Sequence, residues 1–179
     1  MDGSAYLADV VKLFHELRDG ADRAVSQVPY ELWSRRLDPG SNSIVTLMLH
    51  LSGNMLSRWT DFLTTDGEKP GRNRDAEFED PDSLSREALL EKWDKGWSCL
   101  FDALSSLTDA DLARVVTIRS QPHTVVRAID RQLVHYSMHV GQLVFLAKHL
   151  AGPDWKTLTI PRGASAAFTA RITKGRTGT

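Results

Sequence analysis

Apolar residues recur at helical spacing along four long stretches of the chain, and turn residues cluster in the breaks between them. The first stretch runs from about Ala5 to Val28, with Leu7, Val10, Phe14, Leu17, Ala21 and Ala24 on one face. Ser4 is its candidate N-cap, and Pro29 lies beyond its end. The second runs from about Ser43 to Thr65 with the stripe Ile44, Leu47, Met48, Leu51, Met55, Trp59 and Phe62. The third, from about Leu84 to Leu107, starts after Ser83 and buries Leu89, Leu90, Trp93, Trp97, Leu100, Phe101 and Leu104. The fourth, from about Thr124 to Leu150, carries Val125, Ile129, Leu133, Tyr136, Val140, Leu143 and Ala147 and stops at Gly152-Pro153. Together they predict an all-α four-helix bundle.

Two shorter pieces break the helical pattern. The β-branched run Val115-Val116-Thr117-Ile118 reads as a short strand or extended arm, and Leu158-Thr159-Ile160-Pro161 as a second extended segment. Periodicity fades from about Ala164, and Lys174 to Thr179 reads as a frayed end. One domain over residues 1–168 and a flexible tail over 169–179 are therefore expected. The linker from Asp66 to Asp82 is longer than the roughly 2–8 residues usual in bundles. Fully extended, it exceeds the ~33 Å length of a helix like the second one, so it can cross from one end of the bundle to the other. The second and third helices would then run parallel, and the loop becomes a candidate rim for a site.

Composition narrows the class of partner. The 179 residues carry 22 basic and 23 acidic side chains, so no bulk positive charge points to nucleic acid or to an anionic membrane. One cysteine, Cys99, excludes an intrachain disulfide. The pattern leads us to expect neither a signal peptide nor a transmembrane span, and a soluble cytoplasmic protein is expected. A homodimer is expected only because such assemblies are common.

The candidate chemistry lies in the fourth stretch, at His135-Tyr136-Ser137-Met138-His139. Histidines four apart lie about 40° apart around a helix, one turn above the other, and can place two imidazole nitrogens on one metal ion. With His135 at 0°, Gln132 falls near ~60°, Gln142 near about −20°, and the apolar stripe is centred near ~100°. On the second helix, with His50 at 0°, Asn54 falls near ~40°, Asp61 near ~20°, Arg58 near ~80° and the stripe near ~125°. Both helices thus carry histidine on the shoulder of the buried face, where bundle cofactor sites are built. His50, His135 and His139 form a three-nitrogen set that would leave further positions open to water or substrate, with space provided by Gly53. The competing reading is three semi-buried histidines satisfied by hydrogen bonds.

The remaining candidates read as structural. His15 falls on a polar face, His149 sits in a last helical turn, and His123 is at most a rim residue. Cys99, among Trp97, Leu100 and Phe101, reads as packing. Tyr136 follows the first histidine of the pair, so the His-Glu-x-x-His pattern with its built-in base is absent.

From about residue 5 to 168 the chain resembles the DinB/YfiT-like superfamily of four-helix-bundle metalloenzymes, in an uncharacterised subgroup. The resemblance is carried by Ser43 to Met55 with His50-Leu51-Ser52-Gly53-Asn54, by Ser57 to Pro70, by Arg72-Asn73-Arg74-Asp75 and Glu77-Phe78, and by His135 to Gln142. It implies an up-down-down-up helix order and a divalent metal, zinc or nickel, on His50, His135 and His139. Gly71 stands where the family pattern would place a tryptophan, a departure at the rim. Some relatives in the superfamily resemble thiol S-transferases or isomerases that use low-molecular-weight thiols. The expectation is thus a metal-dependent enzyme acting on a small molecule, a transferase with a thiol cosubstrate. Asn54, Arg58, Asp61, Gln132 and Gln142 are candidates for binding substrate or supporting the ligands. A hydrolase using the same ligands, and a non-catalytic stress-response or binding module with a structural metal or none, remain the alternatives.

Overall fold

The computed structural model of the protein describes residues 2–79, 81 and 84–176. Each long helix begins at a side chain that satisfies its free backbone donors. Helix α1 (Gly3–Val25) is capped by Asp2, not Ser4: the carboxylate accepts from the N–H groups of Ser4 and Ala5. A carboxylate also answers the positive end of the helix dipole, which a hydroxyl does not. Helix α2 (Ile44–Trp59) starts at Ser43, which exchanges two hydrogen bonds with Thr46 in a capping box. Helix α3 (Arg86–Ser105) is capped by Ser85; the expected start, Ser83, lies outside the described residues. Thr124 caps helix α4 (Val125–Ala151), and Gly152 at φ 55° ends it. Only α2 is clearly shorter than its apolar pattern: Thr60 is extended and Asp61 takes φ 50°, so the chain leaves the helix before Thr65.

Cross-helix partners set the direction of each helix. The Tyr6 hydroxyl donates to Asp130 at 2.8 Å and Phe14 lies 5.9 Å from Tyr136, so α1 and α4 run the same way. Arg18 pairs with Asp94 while His15 stacks on Phe101, so α1 and α3 run in opposite directions. Thr60 meets Cys99 at 3.5 Å and Ser52 backs onto Gly96, which makes α2 and α3 parallel. The order is up-down-down-up. Between the helices the core is aromatic: Phe14, Trp59, Trp93, Trp97 and Tyr136 are all buried. Tyr136 donates to Asn54 Oδ1 at 3.0 Å and accepts from Trp59 Nε1 at 3.1 Å. No helix among the described residues is long and apolar enough to cross a membrane.

The expected strand exists as β1 (Val115–Ile118), and it pairs antiparallel with β2 (Gln121–Thr124). No apolar alternation marks β2. The hairpin forms because Val116 and Ile118 bury their side chains and because the two-residue turn is held from outside. Both turn residues, Arg119 and Ser120, have positive φ, 55° and 59°. Non-glycine residues pay roughly 1 kcal/mol or more for such a conformation. Asp66 offsets it by accepting both of their N–H groups, at 2.9 and 2.7 Å. Gly67 N–H donates to the Thr117 carbonyl, so the long linker is fastened to the hairpin. Leu158 to Pro161 is not a strand; the segment is irregular, with the Leu158 carbonyl accepting from Arg23. The tail also differs from expectation. Helix α5 spans Ser165–Arg176 and takes in the expected boundary at residue 168. It has no apolar stripe, and its described side chains are exposed or half-buried, so hydrophobic periodicity could not mark it. Residues 177–179 lie outside the described residues.

The Asp66 carboxyl is held at about 2, below its ordinary 3.8, by the N–H of Glu68 first and by those of Ser120 and Arg119 against a burial penalty. A carboxyl lowered in the folded state adds stability that is complete above about pH 4 and is lost as pH falls toward 2. Asp66→Asn should therefore melt below the wild type at pH 7. The two melting curves should converge as the pH approaches 2; a gap that stays constant with pH would contradict this assignment.

Candidate metal centre

His50 on α2 is buried, and His135 and His139 on α4 face it from successive turns. The three Nε2 atoms converge. His50 Nε2 lies 3.3 Å from His135 Nε2, and His139 Nε2 lies 3.2 Å from the same atom. Ligand atoms from all three residues fall within 4.8 Å of one another. A tetrahedron with nitrogen corners about 2.0–2.1 Å from its centre has edges of about 3.3–3.4 Å, so two of the three separations match a zinc-sized ion.

The far side of two of the rings explains how the tautomers are set. His50 Nδ1 donates to Glu77 Oε2 at 2.9 Å, and His139 Nδ1 donates to Gln142 Oε1 at 2.9 Å. Both acceptors draw the proton to Nδ1 and leave the Nε2 lone pair facing the common centre. Burial first, then the neighbouring His139 and His50, push the His135 imidazole down to about 3. Burial also lowers His139. These two rings are therefore neutral at physiological pH, the form in which imidazole binds a metal. Three imidazole nitrogens, two of them with tautomers set by hydrogen bonds, form a donor set that suits a divalent ion of intermediate softness.

Glu77 comes from the long linker, on a short 3₁₀ turn over Asp75–Phe78. Phe78 rests against the His50 ring at 4.6 Å. Arg72 grips Glu77 with two hydrogen bonds, both 2.7 Å. Burial works to raise the Glu77 carboxyl, but the hydrogen bonds from His50 and Arg72 outweigh it and hold it below its ordinary value. Glu68 continues the network, accepting from Arg58 at 3.0 Å and from Arg119 at 2.7 Å. The space under Gly53 is taken by Glu77: a Cβ there would come within 2.8 Å of its Cδ. Glycine at 53 thus admits the carboxylate rather than a ligand.

A cleft of about 330 Å³ opens beside His50 and His135. Asn54 and Arg58 line it, as their helical angles suggested. Gln142 supports His139 directly. Asp61 does not join them. Because α2 ends at Trp59, the projection of Asp61 onto the histidine face fails, and the residue is exposed beside a separate cavity with Phe62 and Thr64. Gln132 is buried outside the cleft lining, with neither amide atom hydrogen-bonded; one turn before Tyr136, it is carried into the core. His123 binds the Gln121 carbonyl within its own strand. His15 is exposed but stacked on Phe101 at 3.9 Å.

Helical geometry missed Glu77, Phe78, Arg72, Arg74 and Arg119, because none of them lies on a helix of the bundle. The signs for the first four were the length of the linker and their place in the segments that carry the family resemblance. Arg131, four residues before His135, was within reach of the same angular argument.

A model of the family described as a protein of unknown function, DUF1572, matches residues 2–164. The chain belongs to the DUF1572 family. The matched region of this DUF1572 chain holds the whole bundle, the hairpin and all three histidines. No curated protein matches the chain at a significant level.

The His50–Glu77 hydrogen bond yields a direct test. Glu77→Gln and Gly53→Ala should each weaken zinc binding by about 10- to 100-fold, the usual cost of losing a hydrogen bond behind a histidine ligand. Chelator competition on the two purified variants checks this, with His15→Ala as a control that should not change. Wild-type affinity in both variants would show that Glu77 does not orient His50.

Proposed function

We propose that this protein is a metal-dependent enzyme of the DinB/YfiT-like superfamily in which His50, His135 and His139 hold zinc or nickel. The convergence of three Nε2 atoms carries the reading. The up-down-down-up order and the linker that reaches the site agree with it. An ion at this position would lower the pKa of a thiol or water that reaches it and so supply a nucleophile at neutral pH.

The chain's own residues supply the rest. Glu77 and Gln142 keep His50 and His139 in the binding tautomer. Asn54 and Tyr136 lock the helices that carry the ligands. Burial raises the pKa of the Tyr136 hydroxyl, so it stays protonated and serves as a donor, not a base. The cleft beside the histidines favours catalysis over a purely structural ion, which would be closed in by protein on all sides. A small molecule is the substrate this space accommodates, and transfer of a low-molecular-weight thiol onto an electrophile is the reaction we assign.

Metal analysis of protein purified without a histidine tag should find zinc or nickel. Adding either metal to stripped protein at a hundredfold excess over its dissociation constant should stabilise the fold by about 2.7 kcal/mol, read as a rise in melting temperature. His135→Ala should abolish that rise and the turnover found in a screen of thiols against electrophiles. A melting temperature indifferent to both metals would remove the basis for an enzyme at this site. Turnover of esters or amides without any thiol would replace the transferase with a hydrolase.

A further inference from the structure

The cleft beside the histidines is unusually basic for a chain whose net charge is −1. Arg58, Arg72, Arg74, Arg119 and Arg131 all line it, and no carboxylate does. Glu68 and Glu77 lie behind it and engage Arg58, Arg72 and Arg119. The other two arginines are differently placed. Among the described residues the ion pair of Arg74 is with Asp75, at 3.9 Å, a carboxylate whose side chain is 95% exposed, and its guanidinium lies over the Phe78 ring. Arg131 has no ion pair among the described residues. Glu68 and Glu77 are thus shared among three arginines, Arg74 has one solvent-exposed carboxylate at 3.9 Å, and Arg131 has none among the described residues, so the five guanidinium groups outnumber the carboxylates around them. Arg58 Nε and Arg72 Nη1 are also buried without a hydrogen-bond partner.

Unpaired guanidinium groups converging on one concave surface cost free energy through mutual repulsion, and an anion of matching charge relieves it. Val134 and Met138 of α4, 61% and 59% exposed, provide an apolar wall in the same cleft. We propose that the cleft binds a small organic dianion, carrying two carboxylates or a phosphate, with Arg74 and Arg131 as its principal charge partners and Val134 and Met138 against its apolar part. This identifies the substrate class of the site and rests on the reading of that site as an enzyme's. Because Arg131 lies one turn before His135, a ligand held there has its remaining atoms beside the three imidazoles.

The test is calorimetric titration of metal-stripped and zinc-loaded full-length protein with succinate, phenyl phosphate and the uncharged control succinamide. One or both dianions should bind, more weakly at high salt, and succinamide should not. Arg74→Gln and Arg131→Gln, both at exposed positions, should each weaken binding about five- to tenfold, the scale of one charge-assisted hydrogen bond at a part-exposed site. Arg114→Gln, outside the cleft lining and paired with Asp111, should leave it unchanged. Equal binding of succinamide, no binding of either dianion, or unchanged affinity in both cleft variants would overturn the inference. Tighter succinate binding would assign carboxylates, and tighter phenyl phosphate binding a phosphate. If zinc binds but neither dianion does, this inference fails and the metal centre stands. If dianions bind through Arg74 and Arg131 while no metal binds, the metal centre fails and the anion site stands.

Discussion

Three imidazole lone pairs directed at one point repel one another, and much of this molecule is arranged to hold them there. Left free, each ring would turn or take up a proton. Two are prevented from turning by hydrogen bonds that Nδ1 donates to Glu77 and to Gln142, and burial opposes protonation of His135 and His139. The helices that carry the rings must then be held together. α2 and α4 meet through Trp59, Tyr136 and Asn54, a buried set of hydrogen bonds in which Tyr136 adjoins His135 and Asn54 lies one turn from His50. Such a network is valuable only when complete, since a buried polar group left alone costs about 1–3 kcal/mol.

The long linker has a structural role that follows from the helix order. With α2 and α3 parallel, the chain has to travel back along the bundle, and it does so across the open end of the histidine site. On the way it delivers Glu77 to His50 and Glu68 to Arg58 and Arg119, and Asp66 fastens it to the hairpin turn. The hairpin, in turn, contributes Arg119. A segment that looks like a connection is thus half of the site, and its charges make sense only as alternating partners: His50, Glu77, Arg72, Glu68, Arg58.

The division between what was legible in the sequence and what was not follows the same line. Helical periodicity depends on a 3.6-residue repeat, so it found the four long helices and placed His50, His135, His139, Asn54 and Arg58 on facing shoulders. It erred where that repeat no longer applied. Asp61 was projected along a helix that had already ended at Trp59. Gln132 is a different case, inside α4 where the repeat holds: the buried face is wider than its apolar residues mark, and one turn aligns Gln132 with the buried Tyr136. Helix α5 buries no stripe and left no pattern to read. Glu77 and Arg72 act from irregular backbone, where spacing in sequence bears no fixed relation to direction in space. Strand β2 is held by pairing and by Asp66, neither of which is encoded in its own four residues.

The charge arrangement also bears on which nucleophile the site suits. Glu77, the carboxylate nearest the histidines, is committed twice over, to His50 and to both arms of Arg72, and is held ionised. It has no freedom to shuttle protons. Tyr136 is kept protonated, Asn54 does not titrate, and the remaining polar groups of the cleft are mainly arginines. With no free base in the cleft, activation of water would fall entirely to an ion held by the three histidines, which can bring the pKa of a bound water from about 15.7 to about 7. A thiol starts at about 8.5, and guanidinium groups beside it, Arg131 and Arg74 above all, would lower that further. The same arginines that would recognise an anionic substrate would also lower the pKa of a thiol placed beside the three imidazoles, and this is the electrostatic ground on which thiol transfer is proposed rather than hydrolysis.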